Sequence, residues 1–285
     1  MKIEDVRKII EGSTGNSLVR VTVPSTGKQM LFKPMTVGMK KSVAKFSLND
    51  SSDEAGVEFQ IAKLALIQAL CPEIDVDTLT DVDFIAILCN IRMNSSMEPL
   101  KLSIKCDAKV ADGVDGNGKH KTKKCGEAFE HSVNFASIID NCMKFEFKQV
   151  EKVVKIDDAI TITMTLTNPR IKDILELEKY LLTVDDETAR LRDRIIHSPY
   201  LHITGLKVNG ENVEDFTTHG LFERIDVLDG LGSAAMFDGK DGSSVFNEIR
   251  GMFSPDDYRI FEEVKCPKCG NTREGVFSTD SFFTI

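Results

Sequence analysis

Residues 80–106 read TDVDFIAILCNIRMNSSMEPLKLSIKC, and the period of their apolar positions changes partway along. Val82, Ile85, Leu88 and Ile91 recur at helical spacing, and Thr80 and Asp83 stand at the capping-box interval, so the first part is a helix. After Ser95-Ser96 the period drops to two. Leu100, Leu102 and Ile104 alternate with Lys101, Ser103 and Lys105 up to Cys106, the pattern of a strand with one buried face. Helix and strand signals come in separate runs and do not alternate as in βαβ units, which points to an α+β fold with an antiparallel sheet and segregated helices.

The same reading extends to both ends. Towards the N-terminus, Ile3, Val6, Ile9 and Ile10 predict a short helix over residues 2–11, and Pro24-Ser25-Thr26-Gly27 joins strands at 18–23 and 29–34. Helices are expected from Thr36 to about residue 46 and over 54–70, where Cys71-Pro72 ends the run. Towards the C-terminus, residues 107–124 lose all periodicity and read as a long exposed loop between two strands, with a basic end, Lys119-His120-Lys121-Thr122-Lys123-Lys124. Strands follow at 128–134, 145–155 and 158–167, then helices at 170–181 and 185–198. A hairpin at 201–213 turns on Asn209-Gly210, and helices are expected at 215–228, 242–252 and 255–264. A chain of 285 residues divides naturally in two: a helical and antiparallel-sheet domain at 1–170, and a mainly helical one at 171–285 that carries Cys266-Pro267-Lys268-Cys269-Gly270, a Cys-x-x-Cys pair of the zinc-knuckle kind, packed back on the sheet.

Composition narrows the function. Hydrophobic residues at 41% and charged residues at 28% describe a chain that folds, and a net charge of -9 repels phosphate backbones, so nucleic acid is an unfavoured partner. No run approaches a membrane span and no secretory core follows Met1, which predicts a cytoplasmic chain with reduced thiols. Seven cysteines then call for another explanation than disulfides.

Cys266-Pro267-Lys268-Cys269-Gly270 supplies one. A Cys-x-x-Cys turn can present two sulfurs to one zinc ion, and Gly270 permits the left-handed backbone that closes such a turn. The competing readings of the pair are two incidental core cysteines or a redox dithiol. A zinc ion needs two further ligands, and residues 270–285 hold no Cys or His. Cys106 and Cys125, at the two ends of the 107–124 segment, are the favoured partners, with His120 as a substitute for either; Cys71, Cys89 and Cys142 read as ordinary buried thiols. Four thiolates leave no position for substrate or activated water, so the expected ion is structural Zn2+. The Lys119–Lys124 stretch reads as a solubilising tip in preference to a phosphate or acidic-partner contact, and Asp112-x-x-Asp115-x-Asn117-Gly118 and residues 238–242 read as turns in preference to calcium loops. No phosphate-binding loop, His-Glu-x-x-His or Gly-x-Ser-x-Gly occurs, and an enzyme is not expected.

The order of parts carries one more signal. Phe32-Lys33-Pro34-Met35-Thr36 runs into two helices; Leu79-x-x-x-Asp83-Phe84 and Ile91-Arg92-Met93-Asn94-Ser95-Ser96 follow; then come Cys106, Cys125 and His131-Ser132-Val133-Asn134-Phe135. This resembles the baseplate hub and hub-assembly protein family of T-even-like contractile-tailed bacteriophages over roughly residues 28–170, with an echo in the Cys-Pro-x-Cys-Gly tail and the paired Phe282-Phe283. The segment between Cys106 and Cys125 looks longer than its counterpart in that family. Within the shared motif, Asp83 reads as a helix-start carboxylate and Arg92 as a late-helix cation, both favourable to the helix dipole.

The resemblance implies a structural protein of the tail baseplate hub, made in the host cytoplasm and placed in the virion. Its partners would be other baseplate and hub proteins, with a homo-oligomer compatible and neither nucleic acid nor a membrane span involved. A hub-assembly chaperone absent from the mature virion is the alternative, and a zinc-containing nucleic-acid-binding module the distant one. Phe277, Phe282, Phe283 and Ile285 then read as a docking segment or, equally, as a tail packed on its own core.

Overall fold

A computed structural model describes residues 18–48, 53–95, 98–114, 120–156, 158–231, 244–253 and 261–276. The expected helix at 2–11, the Phe-rich tail and residues 254–260 lie outside the described residues.

Strands β1 (Val19–Thr22) and β2 (Gln29–Phe32) form the first hairpin, with Val21, Val23, Met30 and Phe32 turned into the core. Helices α1 (Val37–Leu48), α2 (Asp53–Leu70) and α3 (Asp81–Met93) follow. At the start of α3, Thr80 Oγ1 accepts from the Asp83 N–H while Asp83 Oδ2 accepts from the Thr80 N–H at 3.0 Å, as the capping-box spacing requires. Asp83 also binds outward: its Oδ1 accepts from the Ser25 N–H at 2.8 Å and so ties the β1–β2 turn to the helix. Arg92, buried, donates to the Glu98 carbonyl at 2.7 Å and directs the chain into the next strand.

That strand, β3 (Lys101–Lys105), pairs antiparallel with β6 (Ala128–Ser132). Between them the expected loop is corrected: residues 109–124 contain a second hairpin, β4 (Lys109–Val114) with β5 (His120–Lys124). Every residue of β5 is exposed, so no buried face imposes the alternation by which strands are recognised. Helix α4 (Phe135–Met143) is N-capped by Asn134. The strands β7 (Gln149–Lys155), β8 (Thr161–Thr167), β9 (Ile203–Val208) and β10 (Glu211–Asn212) form one antiparallel sheet in the order β10-β9-β8-β7. Ile162, Met164 and Leu166 of β8 face its core, and Asn209 and Gly210 make the β9–β10 turn.

Helices α5 (Ile171–Leu182), α6 (Glu187–His197), α7 (Leu221–Gly230) and α8 (Val245–Met252) complete eight helices among the described residues. Helix α7 begins later than residue 215, because Glu176 of α5 accepts the Leu221 N–H at 2.8 Å and Glu223 accepts the Gly220 N–H, which fixes the helix start there. The helix expected over 255–264 is corrected where it is described. Residues 261–265 form β11 (Phe261–Lys265), paired with β12 (Thr272–Val276). Glu262 and Val264 are buried between exposed Glu263 and Lys265, a two-residue period too short to separate from a helical one by sequence.

The fold is α+β and antiparallel, but among the described residues its strands divide among one four-stranded sheet and four two-stranded ribbons. One hydrophobic core gathers β1, β2 and α1–α4; a second gathers β7–β9, α7 and α8. Helix α5 serves both, with Ile171 and Leu175 in the first and Leu177 and Leu181 in the second.

Candidate metal centre

Two turns of the chain are built alike. At the end of β11, the Gly270 N–H donates to the Cys266 carbonyl at 3.0 Å, the Cys266 N–H donates to the Asn271 carbonyl at 2.9 Å, and Gly270 adopts φ 70°. At the end of β3, the Gly126 N–H donates to the Cys106 carbonyl at 2.9 Å, the Cys106 N–H donates to the Glu127 carbonyl at 2.7 Å, and Gly126 adopts φ 70°. Cys106 therefore corresponds to Cys266, Cys125 to Cys269 and Gly126 to Gly270. Asp107-Ala108 takes the place of Pro267-Lys268, and the Cys125 N–H donates to the Ala108 carbonyl at 2.8 Å. The β4–β5 ribbon is thus an insertion inside a cysteine knuckle, closed at its base so that the knuckle keeps its shape. The signal in the sequence was the second Cys-Gly pair, Cys125-Gly126, separated from its first cysteine by the insertion.

The two turns face each other. The Sγ atoms of Cys106 and Cys269 lie 3.7 Å apart, those of Cys125 and Cys266 3.9 Å apart, and all four sulfurs fall within 4.8 Å of one another. A tetrahedron with metal–sulfur bonds of about 2.3 Å has edges of about 3.8 Å, whereas a disulfide requires about 2.05 Å. The arrangement could hold a metal ion, and its donor set, four soft thiolates converging from two turns, suits one.

Local electrostatics favours ionisation at one corner. The Cys269 N–H, helped by the Lys268 N–H and by the neighbouring thiols of Cys269 and Cys106, holds Cys266 down to about 7. At Cys106 the Ala108 N–H also lowers the thiol, but lost hydration and proton sharing with Cys266, Cys269 and Cys125 push it up to about 12. In the absence of a cation, four adjacent sulfurs cannot all carry charge; a divalent cation would remove that restriction.

Further contacts join the same two segments. Lys268 pairs with Glu127 at 3.0 Å, and Arg273 of β12 with Asp107 at 3.3 Å, each bridging one ribbon's knuckle segment to the other's. Further along β11, buried Glu262 accepts from the Asn134 N–H at 2.9 Å and lies 3.2 Å from His131 Nε2. None of these pairings was read from sequence, although Lys268, His131 and Asn134 stand in motifs quoted there, since each depends on bringing distant segments together. His120 is exposed on β5 opposite Val114 and is not among the four. Cys71, Cys89 and Cys142 are buried elsewhere, and burial pushes the Cys142 thiol up to about 12, unfavourable to a thiolate ligand.

A family model described as T4 bacteriophage base plate protein matches residues 16–231. The chain belongs to that family. As a base plate protein it has its place in the phage tail, and the match runs well beyond the 28–170 span over which the sequence resemblance was read. Cys106 and Cys125 lie inside the matched residues and Cys266 and Cys269 beyond them, so only one of the two turns is covered by the family model. No curated protein and no solved structure matches the chain. Among the described residues no helix is long and apolar enough to cross a membrane.

Proposed function

We propose that this base plate protein is a non-catalytic structural component of the tail baseplate hub, that it binds neighbouring baseplate proteins during tail assembly in the host cytoplasm, and that Cys106, Cys125, Cys266 and Cys269 hold one structural Zn2+. The family membership supports the first part. The converging sulfurs, with separations near the edge of a zinc–thiolate tetrahedron, support the second. A closed four-thiolate shell has no open coordination position, so the ion's work is mechanical: it joins the β3–β6 ribbon to the β11–β12 ribbon.

Mass spectrometry of purified tails and of hub precursors tests the placement. The chain is expected in both; its presence in precursors alone would replace the structural role by that of an assembly chaperone. Elemental analysis tests the metal. One zinc per chain is expected in the purified protein and none in either Cys106→Ser or Cys266→Ser, and zinc retained by Cys106→Ser would refute the two-turn site.

A further inference from the structure

The β4–β5 ribbon contributes nothing to either core. None of residues 109–113 and 120–124 is buried, and an isolated two-stranded ribbon is marginally stable in water. Its pairing places Lys109 directly opposite Lys124, a like-charge juxtaposition that weakens the ribbon. Lys123 is neutralised by Asp112 at 2.6 Å, while Lys109, Lys121 and Lys124 have no carboxylate partner among the described residues. Residues 109–124 hold five lysines against two aspartates in a chain whose net charge is -9. The base of this basic arm is held by the Cys125–Ala108 hydrogen bond and lies between two of the four converging cysteines.

The opposite charge is concentrated on α7 and the turns before it. Residues 211–229 contain six carboxylates, all exposed, and their one arginine, Arg224, is buried against Asp173 at 2.7 Å. His219 lies 3.3 Å from Asp215 and 3.1 Å from Glu223, and Asp226 stands one helical turn beyond Glu223, so these side chains share one ridge.

We propose that the β4–β5 ribbon docks on the Asp215–Glu223–Asp226 ridge of a second copy of this chain. The inference rests on the metal reading for the stiffness of the ribbon's base and on charge complementarity for its partner. A protein surface is favoured over nucleic acid because residues 109–124 contain no aromatic side chain to stack on bases. Ribbon and ridge are different surfaces, so the contact is either reciprocated in a two-fold dimer or, repeated about a higher rotation axis, closes a ring.

Sedimentation velocity of the metal-loaded full chain, over a concentration series at low and high ionic strength, is the test. Self-association is expected at low salt and should weaken at least about tenfold in Lys109→Glu/Lys121→Glu/Lys124→Glu and in Asp215→Lys/Glu223→Lys/Asp226→Lys. Mixing the two variants should restore association, because each then meets the opposite charge. Zinc content is measured in every sample; if the Glu variant loses metal, Lys109→Gln/Lys121→Gln/Lys124→Gln replaces it, with self-association still weakened and, on mixing, only the one contact between the ridge variant's lysine ribbon and the Gln variant's acidic ridge restored. A wild type that stays monomeric at low salt, an association indifferent to both reversals, or a mixture that fails to associate would overturn the proposal. So would binding of duplex DNA, without self-association, that the lysine variant loses. A monomer retaining one zinc per chain removes the docking and leaves the metal centre standing; a zinc-free protein that still associates through these charges does the reverse.

Discussion

Gly126 and Gly270 occupy the same backbone position in two turns far apart in sequence, and both sit at φ 70°. A Cβ at Gly270 would meet nothing within 4 Å, and one at Gly126 only the Lys124 carbonyl at 4.0 Å, so substitution is opposed by backbone strain and not by crowding. Gly126→Ala and Gly270→Ala should therefore lower stability by similar amounts, about 1 to 2 kcal/mol each. Urea unfolding of the metal-bound proteins measures this, and a clear inequality would mean that the two turns are not equivalent. The knuckle at Cys266 was legible because its five residues are contiguous. Its twin was legible only as two candidate ligands, since residues 109–124 separate Ala108 from Cys125 and hide the shared Cys-x-x-Cys-Gly pattern. Asp83 was half legible: the capping box follows from local spacing, but its bond to Ser25 requires knowing where the first hairpin lies.

Elements with a wide buried face were read well, and of those without one, helix α6 was read while the β4–β5 ribbon was not. Helix α3 and strand β8 carry Leu88, Ile91, Ile162 and Met164 into cores, so their periods are visible. The β4–β5 ribbon has two wet faces and β11 is too short, so neither declares its period. Excising residues 109–124 should consequently be tolerated: joining Ala108 to Cys125 gives Cys-Asp-Ala-Cys-Gly, the spacing of Cys266–Gly270, with the hydrogen-bonded turn already in place. The shortened protein is expected to bind one zinc with an affinity within about threefold of the parent, a difference under 1 kcal/mol; competitive chelator titration checks this, and failure to load zinc would show the ribbon to be part of the metal turn.

A second element-level expectation concerns His202, which precedes β9. It is buried, its ring stacks on Phe253 at 4.3 Å, and its Nδ1–H donates to the Thr167 carbonyl at 3.1 Å. Burial pushes its pKa down to about 4. Above about 6.5 neither folded nor unfolded chain protonates it. Below that the unfolded chain takes up a proton that the folded one refuses until about pH 4, so stability falls as pH falls through this window. Compared with His202→Phe, the wild type should lose roughly 2 to 3 kcal/mol more between pH 7 and pH 4.5, from the spacing of the two pKa values. Parallel losses in denaturant melts of the two proteins would exclude His202 as the cause.

At the scale of the molecule the four-cysteine cluster stands apart from the hydrophobic organisation. Neither core includes Cys106, Cys266 or Val264, so both cores should persist when the ion is removed. A bound ion would instead close a long circuit, since Cys125 and Cys266 are 141 positions apart. Treated as a cross-link, such a closure restricts the unfolded chain by about 5 kcal/mol, enough to lower Tm by about 10 °C or more in a chain of this size. What resists local detachment is modest: the Lys268–Glu127 and Arg273–Asp107 pairs are exposed at their carboxylates or lysine and contribute little, which leaves the buried Glu262 contacts and Val264 to hold β11. Chelation at 25 °C should therefore preserve slow amide exchange in α3 and β8 while exposing β3, β6, β11 and β12, and melting of the same sample should show the lowered Tm. Uniform loss of protection would make the ion a folding requirement of the whole chain, and unchanged protection of β11 and β12 would mean that the Glu262 contacts suffice without it.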